Sequence, residues 1–331
     1  MYFEKIQGHR GVLSLLKDLL CRDELDGFFL FTGPKSIGKY TVAKRLAQYA
    51  TCIGTMEDAC RCETCRLFPS IPDYLEIDDS ASTIKTEDVL SIDEFLRLVP
   101  YKSSRRVVLV DDADRLHYAA SDKLLKILED LKKRCTVIFV TSQPEKMSPA
   151  LLSRAETVNF QSLSPEEAIE VLKHKGYRIG TLGDLQRALP YLGSGVLQQP
   201  KKYASLMKSM PDFLGKMSRK GGDELFTLIK EEDDNGDLLM FTEILIILLN
   251  DLLKIHYDSP DVVVNVSRLD ELEKLTSMWS DQVCIASLTK LSNAVRDYKM
   301  NLNLKKRSRL ESAIAWMSLY LEKESSKKSK K

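Results

Sequence analysis

The chain has 331 residues, 44% of them hydrophobic and 29% charged, proportions that suit a soluble globular protein of two or three domains. A formal net charge of +1 excludes a global electrostatic pull toward nucleic acid. The most apolar stretch, residues 238–253, is interrupted by Glu243, Asn250 and Asp251 and is too short to span a membrane, so it reads as a buried helix; with no signal-peptide pattern at the start, a cytoplasmic protein without membrane partners is expected.

Residues 28–32, Phe-Phe-Leu-Phe-Thr, make an apolar, aromatic-rich run that fits a buried strand, and Val42, Ala43, Leu46 and Ala47 recur at helical spacing over residues 40–50. Between them residues 33–40 read Gly-Pro-Lys-Ser-Ile-Gly-Lys-Tyr, close to the G-x-x-x-x-G-K-[ST] of a phosphate-binding loop. In that motif backbone N–H groups cradle phosphates, the lysine meets the terminal phosphates and a Ser or Thr hydroxyl ligates Mg²⁺. Gly33, Gly38 and Lys39 fill their positions, but Tyr40 stands where the hydroxyl belongs. A phenol oxygen lies a whole ring away from its backbone, and Thr41 is turned by about 100° around the helix. The loop is expected to keep its shape and lose its metal.

Four of the seven cysteines, Cys52, Cys60, Cys62 and Cys65, fall within fourteen residues directly after the loop helix. In a reducing compartment such a cluster favours a structural Zn²⁺ site over disulfides, because four thiolates satisfy a tetrahedral ion that repays the ordering of the loop. Cys62-x-x-Cys65 has standard ligand spacing and Cys60-x-Cys62 is tight. Cys21, Cys135 and Cys284 read as lone buried thiols.

Farther along, residues 107–110, Val-Val-Leu-Val, suit a strand buried on both faces that delivers Asp111 and Asp112 at its carboxyl end, where open α/β sheets bind ligands. In an active hydrolase of this layout the first acid steadies Mg²⁺ and the second orients water; Asp112 is one methylene shorter than the usual Glu. Helical spacing follows over residues 119–129, then a buried strand over residues 136–140 ending at Thr141, then Pro149 to Arg154 ahead of a strand-like run at 157–160. Ser164-Pro165-Glu-Glu167 reads as a helix start. Residues 231–237 read as an acidic loop, while 241–255 and 288–298 are amphipathic helices that form a core or pair with neighbouring chains. Basic runs occur at 305–309 and in the Lys- and Ser-rich end, residues 323–331, which reads as a disordered tail.

Taken together, residues 3–160 resemble the AAA+ module of bacterial clamp-loader subunits, the gamma/tau and delta-prime family of the DNA polymerase III holoenzyme. The matching pieces are Phe3-Glu-Lys-Ile-Gln-Gly-His, Phe31-Thr-Gly-Pro-Lys-Ser-Ile-Gly-Lys, the cysteine module, Val108-Leu-Val-Asp-Asp-Ala-Asp, Lys123-Leu-Leu-Lys-Ile-Leu-Glu and Leu152-Ser-Arg. Asn250-Asp-Leu-Leu253 and Asn301-Leu-Asn303 resemble, more weakly, parts of the family's carboxy-terminal collar. The resemblance implies an α/β AAA+ P-loop domain with a zinc-binding insertion over residues 1–160, a small helical lid over 161–207 and an all-α collar over 208–322. It also implies that Arg154 acts in trans as an arginine finger on ATP held by a neighbouring subunit.

Departures from the family point to one member type. Besides Tyr40 and Asp112, Ser36 replaces a usual Gly, Ala155 replaces the Cys after Ser-Arg, and the cysteine module is one residue short between its first two members, which weakens Cys60 as a ligand. No Arg follows Gly193-Ser-Gly-Val-Leu-Gln198 where an ATPase member would aim one at the γ-phosphate. Gly33, Gly38, Lys39, Tyr40, Thr41, Asp111, Asp112 and Thr141 thus make a degenerate nucleotide site, holding little or no ATP and Mg²⁺, beside a kept finger. Such erosion resembles the delta-prime type, a mostly non-hydrolysing stator expected to partner gamma/tau and delta subunits, the sliding clamp and, through the assembled complex, primer-template DNA. The alternative is a gamma/tau-like subunit that binds and hydrolyses ATP itself.

Overall fold

The computed structural model describes residues 3–4, 6–55, 58–78, 83–177, 183–192, 196–217, 238–299 and 306–328. The chain divides into two compact units, Met1–Val171 and Leu172–Lys331. The division falls inside a helix, Pro165–His174.

The first unit is built on a five-stranded parallel sheet. Its strands are β1 (Gly27–Thr32), β2 (Tyr74–Ile77), β3 (Arg106–Val110), β4 (Cys135–Val140) and β5 (Glu156–Asn159), in spatial order β2-β3-β4-β1-β5. The apolar runs lack alternation because both sheet faces are covered. Phe29 and Phe31 of β1, Val107 and Leu109 of β3 and Ile138 and Val140 of β4 enter one core with Leu16, Val42 and Leu46, carried by α1 (Arg10–Cys21) and α2 (Lys39–Ala50). Their neighbours Phe28, Leu30, Val108, Val110, Val137 and Phe139 enter a second core on the opposite face, as the two-residue period requires. There they meet Val89, Ile92 and Leu96 of α4 (Thr86–Arg97) and Leu124 of α5 (Tyr118–Glu129); a five-residue helix, α3 (Glu63–Leu67), lies in the cysteine segment.

Strands β1, β3, β4 and β5 coincide with the apolar runs of the sequence. The edge strand β2 was missed: with four residues, one of them Glu76, it carries too little periodicity to read. Cys21 is exposed at the end of α1, against the expectation of a buried thiol, because it lies on the outward face of that helix; Cys135 and Cys284 are buried.

Among its described residues the second unit is helical. Its longer members are Pro200–Met217, Leu238–His256, Asp281–Lys299 and Lys306–Lys328, which pack on one another. The apolar segment seen in the sequence is the buried helix Leu238–His256, and among the described residues no helix is long and apolar enough to cross a membrane. Asp251 within that helix is fully buried; its carboxylate accepts hydrogen bonds from the backbone N–H groups of Val264 and Asn265, both at 2.9 Å, and from the Asn265 amide at 2.7 Å. A carboxylate so satisfied is tolerated in an apolar helix. The last helix runs to Lys328, into the segment expected to be a disordered tail, since its Lys and Glu residues are good helix formers. The expected acidic loop at 231–237, the start of the 193–198 segment and Asn301-Leu-Asn303 lie outside the described residues.

Candidate nucleotide site and cysteine cluster

Strand β1, flanked by β4 and β5, ends at Thr32 and hands the chain to the loop at 33–38. Gly33 has φ 139°, and a Cβ there would sit 2.2 Å from the Phe160 carbonyl oxygen, so no side chain fits. Gly38, at φ 100°, starts α2 in a conformation that L side chains rarely adopt. Ser36 is also left-handed, at φ 65°, a strain of about 1 kcal/mol that a Gly would not carry.

Lys39 is nearly buried and its Nζ donates to the carbonyls of Gly33 (2.7 Å) and Pro34 (2.6 Å). Burial lowers its pKa, opposed by the charges of Asp112, Asp111 and Asp114. At the ends of β3 and β4, the Asp112 N–H donates to Asp111 Oδ1 (3.0 Å) from a left-handed backbone at φ 45°. Thr141, fully buried, donates to Asp114 Oδ1 (2.6 Å) and accepts from the Gln143 N–H (3.0 Å). The expected acids and Thr141 are thus brought to the same end of the sheet as the lysine.

Tyr40 is committed elsewhere. Its hydroxyl donates to the Glu76 carboxylate on β2 and accepts from Lys44 Nζ (2.8 Å), which also donates to Glu76 (2.9 and 3.0 Å). Burial and the Glu76 hydrogen bond raise its pKa, so the oxygen stays a neutral phenol and not an anionic metal ligand. Thr41 is exposed. The residues present therefore do not fit a Mg²⁺ ion in the manner of the motif. Lys44 and Glu76, which occupy the tyrosine hydroxyl, were not legible as part of this site, because a strand too short to read supplies one of them.

Arg154 follows the short helix α6 (Pro149–Leu152), and its side chain is 42% exposed. Nη2 donates to Glu129 Oε1 at 2.5 Å and Nη1 to the Ala150 carbonyl at 3.2 Å.

The cysteine segment closes on itself. The sulfurs of Cys52, Cys60, Cys62 and Cys65 all lie within 4.8 Å of one another, with Cys52 to Cys60 at 3.6 Å and Cys52 to Cys62 at 3.7 Å. Tetrahedral Zn²⁺ with Zn–S of about 2.3 Å needs sulfurs about 3.8 Å apart. The donor set fits such an ion, and the Cys60 sulfur lies within reach of the other three despite the shortened spacing. For Cys62, burial is outweighed by hydrogen bonds from the Thr64 hydroxyl and the backbone N–H groups of Cys65 and Ile53, which bring its pKa down to about 6. Hydrogen bonding from the Cys62 backbone lowers that of Cys60. Burial among the other sulfurs raises that of Cys65. Three supporting residues carried no signal in the sequence. A Cβ on Gly54 would lie 2.7 Å from Cys60 Sγ; Thr64 Oγ1 lies 3.3 Å from Cys62 Sγ; and Asp58 takes the Tyr49 hydroxyl and the Glu4 N–H (2.5 Å).

A parallel sheet with a glycine-bounded loop and a lysine at the first strand's carboxyl end, facing acids from the third, defines a P-loop α/β fold. Residues 8–164 match the family described as "DNA polymerase III, delta subunit". The tau subunit of Bacillus subtilis is 26% identical over 171 residues (50% of this chain, 30% of that one), and the delta' subunit of the same organism is 29% identical over 162 residues (48% and 49%). The gamma/tau subunit of Mycobacterium tuberculosis is 32% identical over 169 residues, 49% of this chain and 29% of that one. A solved gamma-subunit-related protein of Thermotoga maritima is 18% identical with a TM-score of 0.45, covering 92% of this chain and 99% of that one. Over residues 8–164, a little under half of its length, the chain is similar to the clamp-loader subunits of DNA polymerase III. It spans half or less of the length of these curated relatives.

Proposed function

We propose that this chain is a delta-prime-type subunit of the bacterial replicative clamp loader, a stator that hydrolyses little or no ATP and supplies Arg154 to the nucleotide of a neighbouring ATPase subunit. The observation that carries this reading is the contrast between two residues. Tyr40, at the metal-hydroxyl position, is consumed by Glu76 and Lys44, whereas Arg154 stands exposed beyond the sheet. A loop without its metal ligand has lost transition-state stabilisation that positioned Mg²⁺ supplies. An exposed guanidinium keeps donors for phosphate oxygens of another subunit.

The partners in this reading are gamma/tau-type and delta-type subunits, the sliding clamp and, through the assembled complex, primer-template DNA, in the cytoplasm. Residues 161–207 act as the lid and 208–322 as the collar. Cys52, Cys60, Cys62 and Cys65 would hold one structural Zn²⁺, which when bound ties down residues 52–65 through its thiolates.

The second reading, a gamma/tau-like subunit with its own ATPase, is favoured by the intact Gly33, Gly38 and Lys39 and by the tau and gamma relatives. Mg²⁺-dependent ATP hydrolysis by the purified chain separates the two. The stator turns over ATP negligibly; a steady-state rate on the order of 1 s⁻¹, abolished by Lys39→Ala, selects the motor.

A further inference from the structure

We propose that Glu129 is the positioning residue of Arg154, setting the guanidinium in the conformation from which it addresses an anionic phosphate on a neighbouring subunit; this deepens the arginine-finger reading and rests on it. Glu129 is the last residue of α5, and Asp130 follows it. Two successive carboxylates at a helix carboxyl end oppose the helix dipole, so helix stability does not account for the acid at this place. Its carboxylate instead accepts from Arg154 Nη2 at 2.5 Å.

The pair stands on a rigid base. Leu124 of α5 and Leu151 of α6 are fully buried in the same core, with Leu128, Leu152 and Ala155 packed against it. The backbones bearing Glu129 and Arg154 are therefore fixed relative to one another, and the freedom left is that of the side chains. Arginine carries a large rotamer entropy. Two anchors, Glu129 Oε1 and the Ala150 carbonyl, remove much of it in advance. Of the five N–H donors of a guanidinium, the two anchors engage two, which leaves three for an incoming phosphate. Both side chains are half exposed, 42% for Arg154 and 52% for Glu129, so the pair contributes little to global stability and its effect falls on geometry.

The test uses the full chain in a clamp loader reconstituted with gamma/tau-type and delta-type subunits of the same source, measuring DNA- and clamp-stimulated ATP turnover. Glu129→Ala is expected to lower the part of kcat that depends on Arg154 by about threefold to tenfold, with KM for ATP unchanged, because a finger acts on the transition state. Glu129→Gln keeps an acceptor oxygen and retains most of that turnover. The double variant Glu129→Ala with Arg154→Ala is no worse than Arg154→Ala, since a positioning residue has nothing left to position. Thermal unfolding of both single Glu129 variants stays that of the wild type. A silent or activating Glu129→Ala beside a damaging Arg154→Ala overturns the positioning role and leaves the finger standing. A silent Arg154→Ala overturns both.

Discussion

Gly33 and Tyr40 carry opposite lessons within one loop. Gly33 is a steric requirement: with φ 139° and the Phe160 carbonyl 2.2 Å from any added Cβ, Gly33→Ala must move the backbone that directly follows β5. It is expected to destabilise the chain by about 2 kcal/mol or more, read as a lowered midpoint in denaturant unfolding. Tyr40 is a substitution that the fold has absorbed. Its hydroxyl bridges Glu76 and Lys44, so Tyr40→Phe leaves those two paired with each other and costs about 1 kcal/mol, and under the proposed stator role it leaves ATP turnover unchanged. A Tyr40→Thr variant that hydrolysed ATP at a rate on the order of 1 s⁻¹ would show that the metal hydroxyl alone was missing, against the reading that Asp112 and the absent sensor arginine also matter.

Among the elements, the short edge strand β2 depends on a buried acid just before it. Asp73 accepts from the backbone N–H groups of Tyr101 (2.6 Å), Lys102 (2.8 Å) and Ser103 (2.8 Å), pinning the segment that leads into β3. Burial opposes its ionisation, but those three donors hold its carboxyl below the usual range. A depressed folded pKa means that the carboxylate contributes stability that is present above the unfolded value of about 3.9 and is lost as pH falls from there through the folded value. Asp73→Asn should therefore lower stability at pH 7 by about 2 kcal/mol and flatten the acid limb of a stability profile below about pH 4. An unchanged acid limb would assign that limb to other carboxylates.

The cysteine loop is the second element with a test of its own. The purified chain is expected to hold one Zn²⁺, and Gly54→Ala to lose it, because the added Cβ would press on Cys60 Sγ at 2.7 Å. Asp58 within that loop binds the Glu4 N–H and the Tyr49 hydroxyl, which in turn accepts the Phe3 N–H at 3.0 Å. Chelation should accordingly speed hydrogen exchange at the Phe3 and Glu4 amides while the amides of β1 and β4 stay protected. Equal acceleration across the sheet would mean that the metal supports the whole unit and not the loop alone.

For the whole molecule, the similarity to DNA polymerase III clamp-loader subunits lies in residues 8–164, inside the first unit, Met1–Val171. The proposed role makes a ranking within an assembled complex. Arg154→Ala removes an interaction worth about 10³–10⁵ in rate in arginine-finger systems, but at one adjoining site, so total ATP turnover falls in part. Lys39→Ala in this chain, whose Nζ is turned onto the Gly33 and Pro34 carbonyls, should leave turnover within about twofold. The reverse ranking, Lys39→Ala crippling and Arg154→Ala silent, would make the chain a motor.

Local pattern was enough for the four apolar strands, the glycine-bounded loop, the defect at Tyr40, the close-set cysteines and the buried helix read at 238–253, because strand and helix periods and the chemistry of a loop are written in neighbouring residues. Tertiary structure alone decided what those residues meet. Glu76 reaches Tyr40 across 36 positions, Glu129 reaches Arg154 across 25, and Asp58 reaches Glu4 across 54, and none of these pairs shares a local pattern. The same holds for Asp251, which looks like a fault in an apolar helix until the backbone of residues 264 and 265 is brought against it. Partners of this kind are set by which surfaces the chain brings together to bury its apolar faces, and a single sequence does not display that order.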